Sequence, residues 1–394
     1  MFNIILGLPW LVVVVRFIEP LPWPWSIKIT LAVILLIASQ YLLFCRLSSG
    51  SIFSPEFPRP LIIAFNLVFG ATVLLAVFQI ALDAVSILLT VINGGFPSVS
   101  PDVRYGLGVA ALGLAAFGVS QAIRVPALKD IEISIPGLSS AFDGYKLLQL
   151  TDLHISRLFP ARWAEAVVLR ANALGADLIV MTGDLIDGDV AHRRLDVQSI
   201  AQLRARDGVW AIPGNHEYFF DYQEWMLEYE RLGLRTLLNR HVIIERDRAE
   251  LVIAGVTDRS AGHSGNATPD LKAAILDAPR EAAIILLDHQ PMRAEQAAAA
   301  GVGLQLSGHT HGGMVVGLAR IVARANNGFV SGLYKIGSMN LYVNNGTGLW
   351  PGFALRLGKP AELTRITLRS EPATNRSGPP HTGQAAAAMS GFLA

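Results

Sequence analysis

Five short blocks of the chain combine carboxylate, amide and imidazole side chains, and all five lie after residue 150. In chain order they are Asp152-Leu153-His154, Gly183-Asp184, Gly214-Asn215-His216-Glu217, His289 and Gly308-His309-Thr310-His311. Carboxylate and imidazole groups together suit Mn, Fe or Zn, whereas Ca and Mg favour sites built from oxygen alone. These residue types therefore predict a transition-metal centre.

The spacing within two of the blocks also bears on geometry. On an extended backbone, residues two apart point to the same side. We therefore expect Asp152 and His154 to face one site, and His309 and His311 to do the same. Glycines adjoin Asp184 and both of these last histidines. Glycine allows tight turns and a close approach of the backbone to a ligand.

Most of the blocks follow short apolar runs bounded by turn residues, a pattern typical of buried strands. The runs cover residues 145–150, 176–181, 208–212, 251–255, 282–287 and 303–306. Helical patterns lie between them, at 162–174, 195–205, 222–232 and 291–299. Strands alternating with helices predict a layered α/β fold. Ligands of such sheets bind beyond the carboxyl ends of the strands, so these polar loops should converge on one site.

The end of the chain has a different pattern. Residues 340–343, 352–357 and 363–368 alternate like antiparallel strands, so we expect a mixed sheet or a sandwich. From residue 370 to 394 the sequence is rich in Pro, Gly, Ser and Ala. Such a composition buries too little apolar surface to fold, and this tail is predicted to be disordered.

The five blocks resemble the calcineurin-like metallophosphoesterase superfamily, whose pattern is Asp-x-His, Gly-Asp, Gly-Asn-His-Asp/Glu, His and Gly-His-x-His. The resemblance covers about residues 129–369, and we expect the domain to span 127–369. Together with the apolar front end, it resembles a membrane-tethered bacterial subgroup. It implies an α/β fold, an α+β layered sandwich, and a metal-dependent phosphoric ester hydrolase.

The resemblance also implies roles for particular residues. One divalent metal would be bound by Asp152, His154 and His311, and a second by Asn215, His289 and His309. Asp184 would bridge both metals, and a water molecule activated by them would attack phosphorus. His216 would be the general acid, while Glu217 would either orient His216 or cap the next helix. Asp187 is interpreted as a residue of a solvated loop.

The front part of the chain is strongly apolar. Residues 1–126 hold ten of the 63 Lys, Arg, Asp and Glu residues. Four membrane-spanning helices are predicted, at about 4–18, 27–45, 61–82 and 105–123, because a span needs about 20 apolar residues. Three spans are the alternative count, and buried helices of a soluble core are the alternative interpretation.

The distribution of basic residues bears on orientation. With four spans, one side of the membrane carries Arg46, Arg59, Arg124 and Lys129, and the other carries Arg16, Lys28 and Arg104. Since positive residues favour the cytoplasmic side, four against three predicts a cytoplasmic catalytic domain in a multi-pass membrane protein.

The overall composition narrows the choice of substrate. The net charge is +1, whereas a dedicated nucleic-acid binder is usually clearly basic, so nucleic acid is an unlikely partner. A hydrolase held at a lipid bilayer meets lipid headgroups, which favours a lipid or lipid-linked nucleotide as the phosphoester. The alternatives are a nuclease, a cyclic-nucleotide phosphodiesterase, and a non-catalytic metal-binding membrane protein. The single cysteine, Cys45, cannot form an internal disulfide and is expected to be a small apolar residue.

Overall fold

The structure is a computed structural model that describes residues 2–95 and 97–371. Most of the predicted disordered tail, residues 372–394, lies outside the described residues. Ser370, the first residue of that predicted tail, instead ends the last strand of the fold.

The front part of the chain consists of helices joined by loops. Its helices are α1 (Phe2–Val12), which continues as a π-helical segment (Val13–Ile18), α2 (Trp25–Ser39), α3 (Tyr41–Ser49), α4 (Arg59–Asn93) and α5 (Pro101–Ile123). By length and composition α4 and α5 could each cross a membrane. A third span is possible if α2 and α3, which meet at a 51° bend, count as one.

The helix predicted at 27–45 is therefore broken. Gln40 leaves the helical conformation, with φ −94° and ψ 17°, and separates α2 from α3. The hydroxyl of Tyr41 donates to the Pro351 carbonyl at 3.1 Å, which draws α3 towards the rest of the chain. The count of four spans stays a prediction.

Two six-stranded sheets form the centre of the second part. The strands are β1 (Ala127–Ile135), β2 (Lys146–Leu150), β3 (Leu178–Thr182), β4 (Val209–Ile212), β5 (Arg235–Thr236), β6 (Arg240–Arg246), β7 (Ala249–Gly255), β8 (Ala283–Leu287), β9 (Leu304–Ser307), β10 (Gly332–Ile336), β11 (Met339–Val343) and β12 (Glu362–Ser370). The first sheet has the order β1-β12-β2-β3-β4-β5 and the second has β10-β11-β9-β8-β7-β6. Both sheets are mixed. In the first, β2 to β5 are parallel but β12 is antiparallel to β2. In the second, β7 to β9 are parallel but β6 is antiparallel to β7.

Helices connect the strands of the two sheets. They are α6 (Ala161–Ala173), α7 (Val190–Val197), α8 (Asn215–Phe219), α9 (Tyr222–Arg231), α10 (Leu271–Ala274), α11 (Ala294–Ala299) and α12 (Ala319–Ala325). One apolar core lies between the sheets and joins Leu147 and Val180 to Ile253 and Leu304. Helices α6, α7 and α9 pack on the first sheet, and α10 and α11 pack on the second. The predicted layered α/β sandwich is confirmed.

One predicted strand is wrong. At residues 352–357 the chain leaves a short 3₁₀ turn (Pro351–Phe353) and continues as an irregular segment. The side chain of Leu355 packs against Gly70 of α4 and Gly118 of α5. The apolar residues here contact these two helices, and the segment pairs only through an isolated β-bridge from Leu357 to Val315.

The helical part and the sandwich share one core. Tyr41, Leu42, Cys45, Ile62 and Ala122 belong to the same buried cluster as the residues of α6 and the first sheet. A polar contact lies beside this cluster. The Asn66 amide donates to the Pro351 carbonyl at 3.1 Å and accepts from the Ala354 N–H at 2.6 Å. Because Asn66 is buried, losing these partners would leave its amide unsatisfied, so they fix how the two parts meet.

Candidate metal centre

The proposed ligands all lie just past the ends of strands. Asp152 and His154 follow β2, Asp184 follows β3, and Asn215 begins α8 after β4. On the second sheet, His289 follows β8, while His309 and His311 follow β9. The structure brings these seven residues together. Ligand atoms of Asp152, His154 and His311 lie within 4.8 Å of one another, as do those of Asp184, His289 and His309.

The two groups meet at Asp184. Its carboxylate also forms a third group with His154 and His216. The Asn215 Oδ1 atom lies 3.2 Å from His289 Nε2, which places the amide in the second group. Two sets of ligands that meet at one carboxylate are the arrangement expected of a dinuclear site.

The protonation of His289 tests whether a cation fits. Its Nδ1–H donates to the Thr182 carbonyl at 2.7 Å, which turns Nε2 towards the other groups of the site. Nε2 lies 3.2 Å from both Asn215 Oδ1 and Asp184 Oδ2. Burial opposes a charge on His289, but the carboxylates of Asp184 and Asp152 raise its pKa well above its usual value, so the group favours a positive charge at this position. The donor set and its orientation therefore fit a divalent metal.

The first group also brings ring nitrogens together. His154 Nδ1 lies 3.1 Å from Asp187 Oδ2, and His154 Nε2 lies 3.2 Å from His311 Nε2. Burial and neighbouring positive charge lower the pKa of His311 well below its usual value, and burial lowers the pKa of His309 to about 3. Neutral imidazoles are the form that binds metal.

The backbone at the site is strained. Five of the seven proposed ligands have positive φ angles, between 47° and 69°: Asp152, His154, Asp184, His309 and His311. This left-handed region is uncommon for residues other than glycine, and such strain tends to cluster at functional sites. The expectation of an extended backbone at the two x-spaced pairs is wrong. Asp152 and His154 do share a group, whereas His309 and His311 belong to different groups.

Two glycines are required by close packing. A Cβ at Gly214 would overlap Asp184 Oδ1, and one at Gly308 would overlap Asp152 Oδ2. The Asp152 carboxylate also accepts the His309 N–H at 3.0 Å. The loops that carry the ligands thus touch one another directly, which sets the spacing between the two groups.

Asp187 is a residue whose role the sequence interpretation missed. It is fully buried, and its carboxylate contacts both His154 Nδ1 and His216 Nδ1. Burial opposes protonation of His216, but the carboxylates of Asp184 and Asp187 raise its pKa to about 9. A signal was available, because Asp187 lies only three residues after Asp184 in the same loop.

Glu217 holds the loops and does not orient His216. Its carboxylate accepts the N–H groups of Gly214, Asp184 and Leu185 at 2.6, 3.1 and 2.7 Å. The hydroxyl of Tyr229 donates to it at 2.7 Å. Of the two roles considered for Glu217, the structure therefore shows helix capping, extended to the neighbouring Asp184 loop.

Arg356 is a second residue that the sequence interpretation missed. It is buried, and its guanidinium donates to the carbonyls of His311, Asn345, Gly348 and Lys359 at 2.7 to 3.2 Å. It ties the loop at residues 344–348 against Asp152 and His311, where a Cβ at Gly346 would crowd both residues. No local pattern marks this arginine, because its acceptors are backbone atoms from other loops.

The loop between α3 and α4, residues 50–58, forms one wall of the site. The ring of Phe53 lies 5.0 Å from that of His216, 4.6 Å from Phe219 and 5.7 Å from Trp350. The Ser54 hydroxyl donates to the Asp187 carbonyl at 3.3 Å. The helical part of the chain therefore contributes directly to the surroundings of His216.

Comparisons with known proteins agree with this geometry. The family model described as calcineurin-like phosphoesterase matches residues 145–313. A metallophosphoesterase of Bacillus subtilis, YkuE, is 31% identical over 237 residues, which cover 58% of this chain and 80% of that protein. The chain belongs to the calcineurin-like phosphoesterase family, and the predicted family is confirmed.

Two further similarities are to a transmembrane relative and to a solved structure. The Danio rerio "transmembrane protein with metallophosphoesterase domain" is 32% identical over 269 residues, which cover 65% of this chain. The match spans 60% of that relative's own length. The crystal structure of the calcineurin-like phosphoesterase YfkN from Bacillus subtilis covers 52% of this chain and 81% of its own, at 15% identity and a TM-score of 0.36.

Proposed function

We propose that this protein is a membrane-tethered, dinuclear-metal phosphoesterase. It would hydrolyse a phosphodiester, a phosphomonoester or a pyrophosphate. The observation that carries the proposal is the pair of ligand groups that meet at Asp184. In the first group two imidazole nitrogens face each other, and in the second an imidazole nitrogen faces an amide oxygen, a set of donors that suits a divalent cation.

The residues divide between two metals. Asp152, His154 and His311 would hold the first, Asn215, His289 and His309 would hold the second, and Asp184 would contribute to both. When bound, Mn, Fe or Zn ions would supply the positive charge that makes an attacking water more acidic and stabilises the phosphoryl oxygens. Asn215 contributes a neutral oxygen, so the site keeps more positive charge than a third carboxylate would leave.

His216 is the proton donor in this proposal. Its Nε2 atom lies 3.9 Å from Asp184 Oδ2, on the side of the shared carboxylate. Its Nδ1 atom contacts Asp187, which fixes the ring and leaves Nε2 to serve the leaving oxygen. Asp187 acts through His216 and His154, and is a positioning residue.

The substrate in this proposal is a membrane-derived phosphoester, either a lipid or a lipid-linked nucleotide. Phe53, Phe219 and Trp350 place apolar surface beside His216, on the leaving-group side. Phe53 is carried by the loop that joins two apolar helices. A multi-pass chain with its catalytic domain in the cytoplasm completes the proposal, on the distribution of basic residues.

Hydrolysis of bis(p-nitrophenyl) phosphate by the purified full chain tests the activity. We expect turnover that depends on added Mn²⁺ and that is lost in Asp184→Asn. Asp247→Asn, an exposed turn substitution, is the matched control and should behave like the wild type. Metal content measured by mass spectrometry gives a second readout. Two equivalents bound without any turnover would favour the non-catalytic alternative.

The membrane arrangement needs a separate test. A cysteine at Asp247, in a Cys45→Ala background, would report whether the catalytic domain reacts with a membrane-impermeant maleimide in intact cells. Protection in intact cells and reaction after lysis are expected of a cytoplasmic domain. Reaction in intact cells would contradict the cytoplasmic orientation and, with it, a substrate made only in the cytoplasm.

A further inference from the structure

A second cavity lies apart from the metal centre. It has a volume of about 650 Å³ and lies where the α3–α4 loop meets the start of α6. Three arginines line it, Arg59, Arg157 and Arg162, together with Glu56 and Asp196. None of the proposed metal ligands is among its lining residues.

The two carboxylates of this cavity already pair with a buried arginine. The buried Arg193 pairs with both Glu56 and Asp196, the latter at 3.0 Å. Glu56 also accepts from Arg157 Nε at 2.8 Å. Four guanidinium groups therefore face two carboxylates, and the cavity carries an excess of positive charge.

The arginines of the cavity also have free donors. Arg59 uses only Nε, which donates to the Leu158 carbonyl at 2.8 Å. The side chain of Arg162 makes no hydrogen bond or ion pair with any residue in 2–95 or 97–371. Planar guanidinium groups bind phosphate oxygens through paired hydrogen bonds, so these free donors suit a phosphate group.

We propose that this cavity binds the phosphate headgroup of an anionic phospholipid. Arg59 is the first residue of α4, one of the two helices long and apolar enough to span a membrane. Basic pockets beside such helices are typical binding sites for anionic headgroups. Phe57 lines the cavity, and its ring lies 6.3 Å from that of Phe65. Phe65 in turn lines an apolar groove of about 140 Å³ between α2 and α4, which suits an acyl chain.

The cavity is connected to the metal centre. Arg193 bridges the two, because it pairs with Glu56 and its Nε donates to the Asp187 carbonyl at 2.9 Å. The Asp187 carboxylate contacts His154 and His216. A headgroup that holds Arg157 and Arg162 would order Glu56 and, through Arg193, the loop that carries Asp187. This coupling to hydrolysis rests on the proposed function, whereas the binding site does not.

Thermal unfolding of the full chain in nonionic detergent tests the binding. Water-soluble dihexanoyl phosphatidylglycerol should raise the Tm saturably, because a ligand of the native state stabilises it. Arg162→Gln should shift the midpoint of that titration to at least about tenfold higher lipid. Arg59→Gln is a second variant with the same expectation. Arg280→Gln, an exposed arginine of another turn, is the matched control and should titrate like the wild type.

Two further ligands separate the possible sources of the phosphate. Dihexanoyl phosphatidylcholine should have little effect, since its headgroup is neutral overall. Inorganic phosphate should be much weaker than the lipid. Equal midpoints for inorganic phosphate and the anionic lipid would overturn the lipid assignment. A lipid midpoint unchanged by Arg162→Gln would overturn the site.

The coupling has its own measurement. Phosphatidylglycerol in phosphatidylcholine vesicles should raise kcat of the wild type, and Glu56→Gln should abolish the rise while leaving lipid binding detectable. Lipid binding with no change in kcat would overturn the coupling. If no turnover occurred under any condition, the hydrolase proposal would fail and the binding result, which needs no turnover, would still decide the site.

Discussion

The ligand loops of the first sheet and those of the second sheet build one metal centre, but different parts of the molecule support them. On the first sheet, Asp187 holds His154 and His216, and Asp187 in turn contacts Ser54 and Arg193. On the second sheet, Arg356 holds the His311 carbonyl, and the Arg356 N–H in turn donates to the Gly118 carbonyl of α5 at 3.0 Å.

This difference has a consequence for how each half of the centre depends on the helical part of the chain. The first-sheet loops are reached by residues 50–58, between α3 and α4, whereas the second-sheet loops are reached by α5, through Arg356. Disturbing the α3–α4 loop should therefore change the geometry around His154 and His216 and leave His289 and His309 largely unaffected. Four substitutions test how the two sets of loops are supported.

Arg356→Met should give the largest effect, on stability. Four carbonyls, three of them buried, would lose their donor, and we expect a loss of at least about 3 kcal/mol, since each unsatisfied buried group costs about 1–3 kcal/mol. In a domain of this size, that corresponds to a Tm lower by about 6–12 °C. Thermal unfolding of the full chain measures it. Arg365→Met, which removes a partly exposed ion pair with Asp130, is the control and should cost about 1 kcal/mol at most.

Gly308→Ala should abolish most of the activity while the fold persists. The added Cβ would displace the Asp152 carboxylate, and a misplacement of about 1 Å can cost about 100-fold in rate. Turnover of bis(p-nitrophenyl) phosphate and metal content both measure it. Gly113→Ala, where nothing lies near the added methyl, should have no effect. Normal activity in Gly308→Ala would show that the two sets of loops are not held by direct contact.

Asp187→Asn should lower turnover or metal affinity by about 10- to 100-fold, the usual effect of losing a carboxylate that orients a ligand histidine. The affinity of the first metal should fall more than that of the second, because Asp187 contacts His154 and not His289. Metal titration resolves the two events. Asp189→Asn, two residues along and half exposed, is the matched control. Equal weakening of both metals would contradict the division of support between the two sheets.

Ser54→Ala should give the smallest effect. It removes a hydroxyl that lies 3.3 Å from the Asp187 carbonyl and 3.1 Å from Glu56 Oε1, and the lost hydrogen bond is worth about 0.5–1.5 kcal/mol, or about 2- to 10-fold in turnover. Ser120→Ala removes a hydroxyl from an exposed position of α5 and should leave turnover unchanged. An effect of Ser54→Ala on the second metal alone would argue against a link between the helices and the first-sheet loops.

The sequence was sufficient for the family and for the layered fold, because both depend on local patterns. Apolar runs that end in Asp, Asn or His mark strand ends directly, and strand ends meet at one edge of a sheet. The roles of the ligand residues remain predictions that the metal measurements would test. The structure shows only that the predicted ligands lie together.

What the sequence did not reveal depends on contacts between distant segments. Arg356 bonds carbonyls that no sequence pattern identifies, and Asp187 resembles any polar loop residue until His216 is placed beside it. The apolar alternation at 352–357 was interpreted as a strand, although its partners are Gly70 and Gly118 of two helices. Periodicity indicates that a side chain is buried, but not what buries it.

The left-handed backbone at five ligand positions affects how the sequence can change. Each such residue costs about 1–3 kcal/mol, and glycine would relieve much of that cost. Selection for heat resistance alone should therefore favour glycine at Asp152, His154, Asp184, His309 and His311. The protein would lose its metal binding as these substitutions accumulate. Those positions keep their side chains only while selection acts on the chemistry. Selection for stability alone would not retain them.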